Sequence, residues 1–281
     1  MSFPPARRIA LPEVTLSVHE AGAGPAVVLC HGFPELAYSW RHQVQALAEA
    51  GFRVVAPNQR GYADSDSPDE IEAFDLVHLT DDIVALLDAL DVEKAVFAGH
   101  DWGGFVSWAM PVLHPDRCLG AIGVNTPYVA FPSTHVLRGV FPDPEKLYIL
   151  WFQEPGVAET FLDANVRVVF EKLMRRGSAP SPGGLAGMSD ANPFKRIREI
   201  DPLGESFLSE DEIDLYTRAF EQSGFRGPIN WYRNIDRNQE RVPGIGEKKL
   251  DLPCLQITAA WDAAIPPSMA AGMPQVCSDL E

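Results

Sequence analysis

Asp101 stands in the run Gly99-His100-Asp101-Trp102-Gly103-Gly104, at the position that serine normally occupies in a nucleophile elbow. Small residues flank it on both sides, as a sharp strand-to-helix turn requires when neighbouring backbone comes close. A serine at such a turn attacks carbonyl carbon. A carboxylate can instead attack a saturated carbon that bears a leaving group, and the product is an ester on the enzyme that water can cleave at its carbonyl. The carboxylate needs no base to activate it, since an ordinary aspartate pKa of about 4 leaves it ionised at pH 7. The elbow therefore points to displacement at sp3 carbon, with epoxides and alkyl halides as the leading substrates.

Two further stretches support this chemistry. His31-Gly32-Phe33-Pro34 follows the apolar run Val27 to Cys30, at the carboxyl edge of a sheet where ligands bind in open α/β folds. A backbone N–H there, Phe33, and the one just after the nucleophile, Trp102, can form an oxyanion hole, each donor worth about 3–4 kcal/mol of barrier. A plain strand-ending turn is the alternative. A cis Phe33–Pro34 bond is expected, because cis peptides concentrate at proline in tight functional turns. Asp262 follows the apolar run ending at Trp261, where the acid of a triad would fall in the chain order nucleophile, acid, base; by itself it could be a turn aspartate.

The elements that must position these residues alternate. Strands are expected at Val14 to His19, Ala26 to His31, Arg53 to Pro57, Lys94 to Ala98, Ala121 to Asn125 and Pro253 to Thr258. Helices are expected at Ser39 to Ala50, stopped by Gly51, at Leu76 to Leu90 with Thr80-Asp81-Asp82 on the exposed side, and at Phe105 to Leu113. This pattern predicts a mostly parallel, doubly wound sheet. Residues 128–249 show only helical patterns and loops, clearest at Val157 to Arg176 and Ser209 to Ser223, with a Gly/Pro/Ser-rich loop at Ser178 to Pro193. A helical insertion between two strands reads as a cap over a core made of residues 1–127 and 250–281.

The chain has 281 residues, 46% hydrophobic and 22% charged, with a formal net charge of −16. Such acidity argues against nucleic acid or an anionic membrane as partner. Neither a secretory signal nor an apolar run of the roughly 18 residues that would span a membrane is visible. Cys30, Cys118, Cys254 and Cys277 are scattered, without a C-x-x-C pair, and read as free thiols in a reducing compartment, by default the cytoplasm. No metal or cofactor is called for.

Taken together, His31-Gly32-Phe33-Pro34, Arg60-Gly61-Tyr62-Ala63-Asp64-Ser65, the Asp101 elbow, Trp151-Phe152-Gln153-Glu154-Pro155-Gly156-Val157 and Asn230-Trp231-Tyr232-Arg233-Asn234 resemble the motifs of the α/β-hydrolase-fold epoxide hydrolases, over nearly the whole chain. The resemblance implies an α/β-hydrolase fold with a helical cap, a small apolar epoxide and water as substrates, and two cap tyrosines, Tyr148 and Tyr232, that hold the epoxide oxygen. A phenol, protonated at pH 7, can donate to the alkoxide that ring opening creates. Tyr216 reads as helix packing. Phe33, Trp102, Trp151 and Phe152 are candidates for the pocket wall, or equally for general core.

The chain departs from the family's pattern in one respect. A histidine base is expected roughly 25–30 residues after the acid. Glu281 is the last residue of the sequence, and His19, His31, His42, His78, His100, His114 and His135 all precede Asp262. The final strand and helix of the fold also read as missing, which would expose a sheet edge. Two readings follow: a shortened version of an active enzyme, or a natural short form that binds or traps epoxides without turnover. The 281 residues alone are expected to form the Asp101 ester and stall. The nearest rival is a haloalkane dehalogenase, which shares the nucleophile but needs N–H donors for a halide, where this chain offers Phe33 and tyrosines. A fluoroacetate-type dehalogenase would want arginine at position 102.

Overall fold

The computed structural model describes residues 3–176, 184–202 and 204–281. Eight strands form one sheet in the order β1-β2-β4-β3-β5-β6-β7-β8. They are β1 (Ala6–Ala10), β2 (Thr15–Ala21), β3 (Ala26–Cys30), β4 (Arg53–Asn58), β5 (Ala95–His100), β6 (Cys118–Val124), β7 (Leu250–Ile257) and β8 (Cys277–Leu280). β2 pairs antiparallel with β1 and β4, and every other pairing is parallel. The expected doubly wound sheet is thus present. β3 is buried at all five positions, which is why it reads as an unbroken apolar run rather than an alternating one.

Helices α1 (Arg41–Glu49), α2 (Leu76–Ala89) and α3 (Trp102–Leu113) belong to the layers flanking the sheet. One hydrophobic cluster gathers Val27, Leu29, Val54 and Ala98 with Trp40 and Val44, while the larger one joins the opposite side chains of the strands to α2, α3 and the helices that follow β6. Between β6 and β7 the chain is helical: α4 (Thr134–Val140), α5 (Tyr148–Trp151), α6 (Val157–Asp163), α7 (Val166–Leu173), α8 (Glu210–Ser223), α9 (Arg226–Arg233) and α10 (Ile235–Arg241). The single helix expected from Val157 to Arg176 is two. α8 begins at the Ser209 capping box, in which Ser209 and Glu212 satisfy each other's backbone N–H groups. Of the Gly/Pro/Ser-rich loop expected from Ser178 to Pro193, residues 177–183 lie outside the described residues, and Gly184–Gly187 forms a 3-10 turn.

Three readings differ from the structure. Cys277–Leu280 was not read as a strand, yet it pairs in parallel with β7; its four residues are too few to show a period. β1 was not read as a strand; four of its five positions, Ala6, Arg7, Arg8 and Ala10, are exposed at the sheet edge, so it lacks an apolar face. Of Thr80-Asp81-Asp82, expected on the exposed side, only Asp81 is exposed. Thr80 is buried and its hydroxyl donates to the Leu76 carbonyl at 2.8 Å. Asp82 is buried and accepts from Arg60 Nε and Nη2, each at 2.6 Å, so Asp82 of α2 holds the arginine of the Arg60-Gly61-Tyr62 stretch in place. Breaking a buried pair strands the remaining charge. Asp82→Ala is expected to lower stability by about 3 kcal/mol, read as a shift of the urea midpoint at unchanged slope.

Candidate active site

Asp101 occupies the tip of the turn between β5 and α3, with φ 53° and ψ −122°. That is a left-handed backbone rare for a residue with a side chain, and it lifts the carboxylate clear of both elements. Two glycines make room for it. A Cβ on Gly103 would run into the Cys30 carbonyl of β3, and one on Gly32 would run into the Asp101 side chain itself. Thr126, just past β6, pins the turn from the other side by donating its hydroxyl to the Asp101 carbonyl at 2.7 Å.

The carboxylate lies in a cradle of backbone donors. Phe33 N–H donates to Asp101 Oδ1 at 2.8 Å, and the Trp102 N–H, at the N-terminus of α3, also points at it. The two donors named from the sequence are therefore brought together on one carboxylate, and the Phe33–Pro34 bond is cis as expected. Burial pushes the Asp101 pKa up to about 6, against the pull of His100 and of the two N–H donors. The ordinary value near 4 assumed from sequence is corrected accordingly, although the group is still mostly ionised at pH 7.

Tyr148, at the first position of α5, and Tyr232, in α9, face the same space, their ring centroids 5.8 Å apart. Burial, and next the charge of Asp101, raise both phenol pKa values above the ordinary 10, so both stay protonated. Asp262 lies in the loop after β7. Its Oδ2 accepts from Asn125 Nδ2 at 2.7 Å, and its Oδ1 accepts from the N–H groups of Ala264 and Ile265 at 2.8 and 2.9 Å. Among the described residues no histidine hydrogen-bonds Asp262. His31 is buried and accounted for otherwise: its Nε2 accepts from Gln59 N–H, its Nδ1 donates to the Gly32 carbonyl, and burial lowers its pKa to about 4. His100 turns away from the nucleophile toward Glu35, 3.1 Å from Nδ1. Burial opposes its charge, but Glu35, Asp101 and Asp262 outweigh that and raise its pKa to about 9. Tyr216 packs on α8 against Phe170, as read from the sequence.

Asp101, Tyr148 and Tyr232 open onto a cavity of about 260 Å³. Its polar lining is Asp101, Trp102, Tyr148 and Tyr232; the rest is apolar, including Phe105, Phe131, Leu137, Phe141 and the stretch Ala263 to Pro266. Of the four wall candidates only Trp102 lines it. Phe33, Trp151 and Phe152 stand one layer back, with Phe33 and Phe152 packed edge-on behind the Tyr232 ring at 5.3 and 5.0 Å and Trp151 behind Phe152 at 5.8 Å. Asn125 and Thr126 were not singled out from sequence. Their place just after a parallel strand, at the carboxyl edge, was the available signal. Among the described residues no group of three or more His, Cys, Asp or Glu is placed to hold a metal ion.

Comparison with known proteins agrees with this geometry. The family model of the alpha/beta hydrolase fold matches residues 25–281. The chain is 40% identical over 281 residues to epoxide hydrolase A of Mycobacterium tuberculosis, covering 94% of this chain and 84% of that protein. It is 40% identical over 267 residues to bifunctional epoxide hydrolase 2 of Mus musculus, covering 93% of this chain and 48% of that protein. It thus spans about half the length of such mammalian relatives. The solved structure of epoxide hydrolase A from Mycobacterium thermoresistibile superposes with a TM-score of 0.83 at 36% identity, over 99% of this chain and 89% of that one. The chain belongs to the epoxide hydrolase family of the α/β-hydrolase fold.

Proposed function

We propose that this protein opens an uncharged, apolar epoxide through a covalent ester on Asp101. The observation that carries the reading is the facing arrangement of one buried carboxylate and two protonated phenols across an otherwise apolar cavity. In ring opening, an Asp101 oxygen forms a bond to one epoxide carbon as that carbon's bond to the ring oxygen breaks. The electron pair moves onto that oxygen, and Tyr148 and Tyr232 donate hydrogen bonds or a proton to it. Negative charge leaves Asp101 in the same step, which removes one cause of the raised phenol pKa values. The N–H groups of Phe33 and Trp102 would then hold the ester carbonyl and any oxyanion formed when water attacks it.

In this reading residues 128–249 form a cap that carries the phenols, and residues 1–127 and 250–281 form the core that carries the nucleophile. Asp262, fixed by Asn125 and two backbone donors, is the triad acid; the residues bonded to it supply no base, so the described residues account for ester formation and not for its hydrolysis. No helix among the described residues is long and apolar enough to cross a membrane. All four cysteines are free, which fits action in a reducing compartment such as the cytoplasm.

The test is intact-mass and diol analysis after exposure to styrene oxide and, separately, to 1-bromobutane. The expected result is one added epoxide mapped to Asp101, or diol, with the epoxide alone. Reaction with the bromoalkane alone would assign a dehalogenase, and an unmodified Asp101 with no diol would leave a binding protein. Only the ionised carboxylate attacks, so the alkylation rate should be half-maximal near pH 6, level above pH 7, and fall about tenfold per pH unit below 5.

A further inference from the structure

Two stretches of the cap, Gln153-Glu154 after Tyr148 and Arg233 after Tyr232, have no part in the chemistry just described, yet they join the two tyrosines. α5 is a single turn and α9 is eight residues long, too short to persist without tertiary support. The last carbonyls of such helices have no partner within the helix. Here each helix end is satisfied by a side chain that lies next to the other tyrosine's element. Gln153 Nε2 donates to the Ile149 carbonyl of α5 at 2.9 Å and also to the Tyr232 carbonyl of α9 at 3.0 Å. Arg233, the residue after Tyr232, donates Nε to the Phe152 carbonyl at 2.9 Å and Nη2 to the Glu154 carbonyl at 3.1 Å, both just beyond α5. Its side chain is 4% exposed, and it is oriented by Glu159 at 2.9 Å and by Asn230 Oδ1 at 2.7 Å.

We propose that Gln153 and Arg233 are positioning residues for ring opening, a reciprocal clasp that fixes the Tyr148 and Tyr232 phenols relative to one another so that both reach one oxygen. The inference rests on the reading of those tyrosines as epoxide-oxygen donors. Two donors converging on one atom must be registered to within a fraction of an ångström, whereas a single donor can follow the substrate. The planar guanidinium fork suits this task because its separate nitrogens reach two carbonyls and a carboxylate that lie apart, whereas an ammonium has its donors on one nitrogen.

A double-mutant cycle on the rate of epoxide consumption, with protein in excess over styrene oxide, separates positioning from plain support of the fold. Gln153→Leu is expected to slow the native chain about tenfold with the half-saturating protein concentration unchanged, and to slow the Tyr148→Phe chain less than about twofold, because one remaining phenol has no partner to be registered with. Arg233→Lys, which keeps a charge opposite Glu159, should show the same loss of effect in the Tyr148→Phe background; it carries the cycle if the leucine variant fails to unfold cooperatively. Equal slowing in both backgrounds would overturn the clasp while leaving the function standing. A folded native chain that consumes no epoxide and forms no ester would instead remove the underlying reading, and the clasp with it.

Discussion

Asp101→Asn is expected to add no epoxide at any pH and to give the more stable protein. The amide keeps the shape of the carboxylate, and its oxygen can still accept from Phe33 N–H, 2.8 Å away in the native chain. It lacks the negative charge that attacks carbon, so the covalent step should fall below detection rather than slow by a modest factor. The stability gain follows from the raised pKa. In the unfolded chain Asp101 titrates at its ordinary value near 4, and in the folded chain burial lifts it to about 6. A carboxyl whose folded pKa is the higher one stabilises the fold while protonated and loses that contribution as pH rises between the two values. Above pH 6 the native chain thus carries a cost of about 3 kcal/mol for keeping this buried group ionised. Thermal unfolding at pH 8 should place the asparagine variant about 5–10 °C higher, and the gap should close on going down to pH 4. A gap that is absent, or independent of pH, would show that the buried charge is not what costs the native fold.

Loss of both phenols should have the next largest effect. Tyr148→Phe and Tyr232→Phe each preserve ring packing around Phe33, Phe152 and Trp102 and remove one donor. Each is expected to slow ring opening by about 10²-fold and the pair together by about 10⁴-fold, the range for general acid help to a poor leaving group. The half-saturating concentration should move little, since the epoxide oxygen becomes strongly basic only as its bond to carbon breaks. Single-turnover rates would decide it. A double variant as fast as the native chain would mean that the phenols are wall and not donors.

How far the sequence reveals this site follows from how local each feature is. Asp101, Phe33 and Trp102 are legible because an elbow and a strand-end loop are short, contiguous arrangements whose residue types follow from their backbone. The parallel strands are legible because burial on both faces leaves an unbroken apolar run. β8 is not, because four residues, two of them exposed, carry no period. Asp82 and Thr80 were misplaced because polar residues on a helix read as solvent-facing until the distant Arg60 that binds Asp82 is brought against them. Which aromatic residues line the pocket was not legible for a similar reason. Apolar residues are equally at home on a cavity surface and one layer behind it, and only the fold distinguishes Phe131, on the wall, from Phe152, behind Tyr232. The raised pKa of Asp101 was invisible because it arises from burial by residues far away in the chain.

One consequence of the carboxylate cradle is stereochemical. Oδ1 is held by the Phe33 N–H, so in the proposed reaction the other oxygen of Asp101 approaches carbon from one side of the cavity while the phenols hold the departing oxygen on another. Displacement then occurs from the rear, and the attacked carbon turns its configuration inside out while its neighbour, whose bond to oxygen survives, keeps its own. A ring-fused epoxide should be held on Asp101 as a trans hydroxy ester, and a racemic mixture of epoxides should be consumed at two different rates, because a fixed entry path cannot present both mirror images to the same pair of phenols equally well.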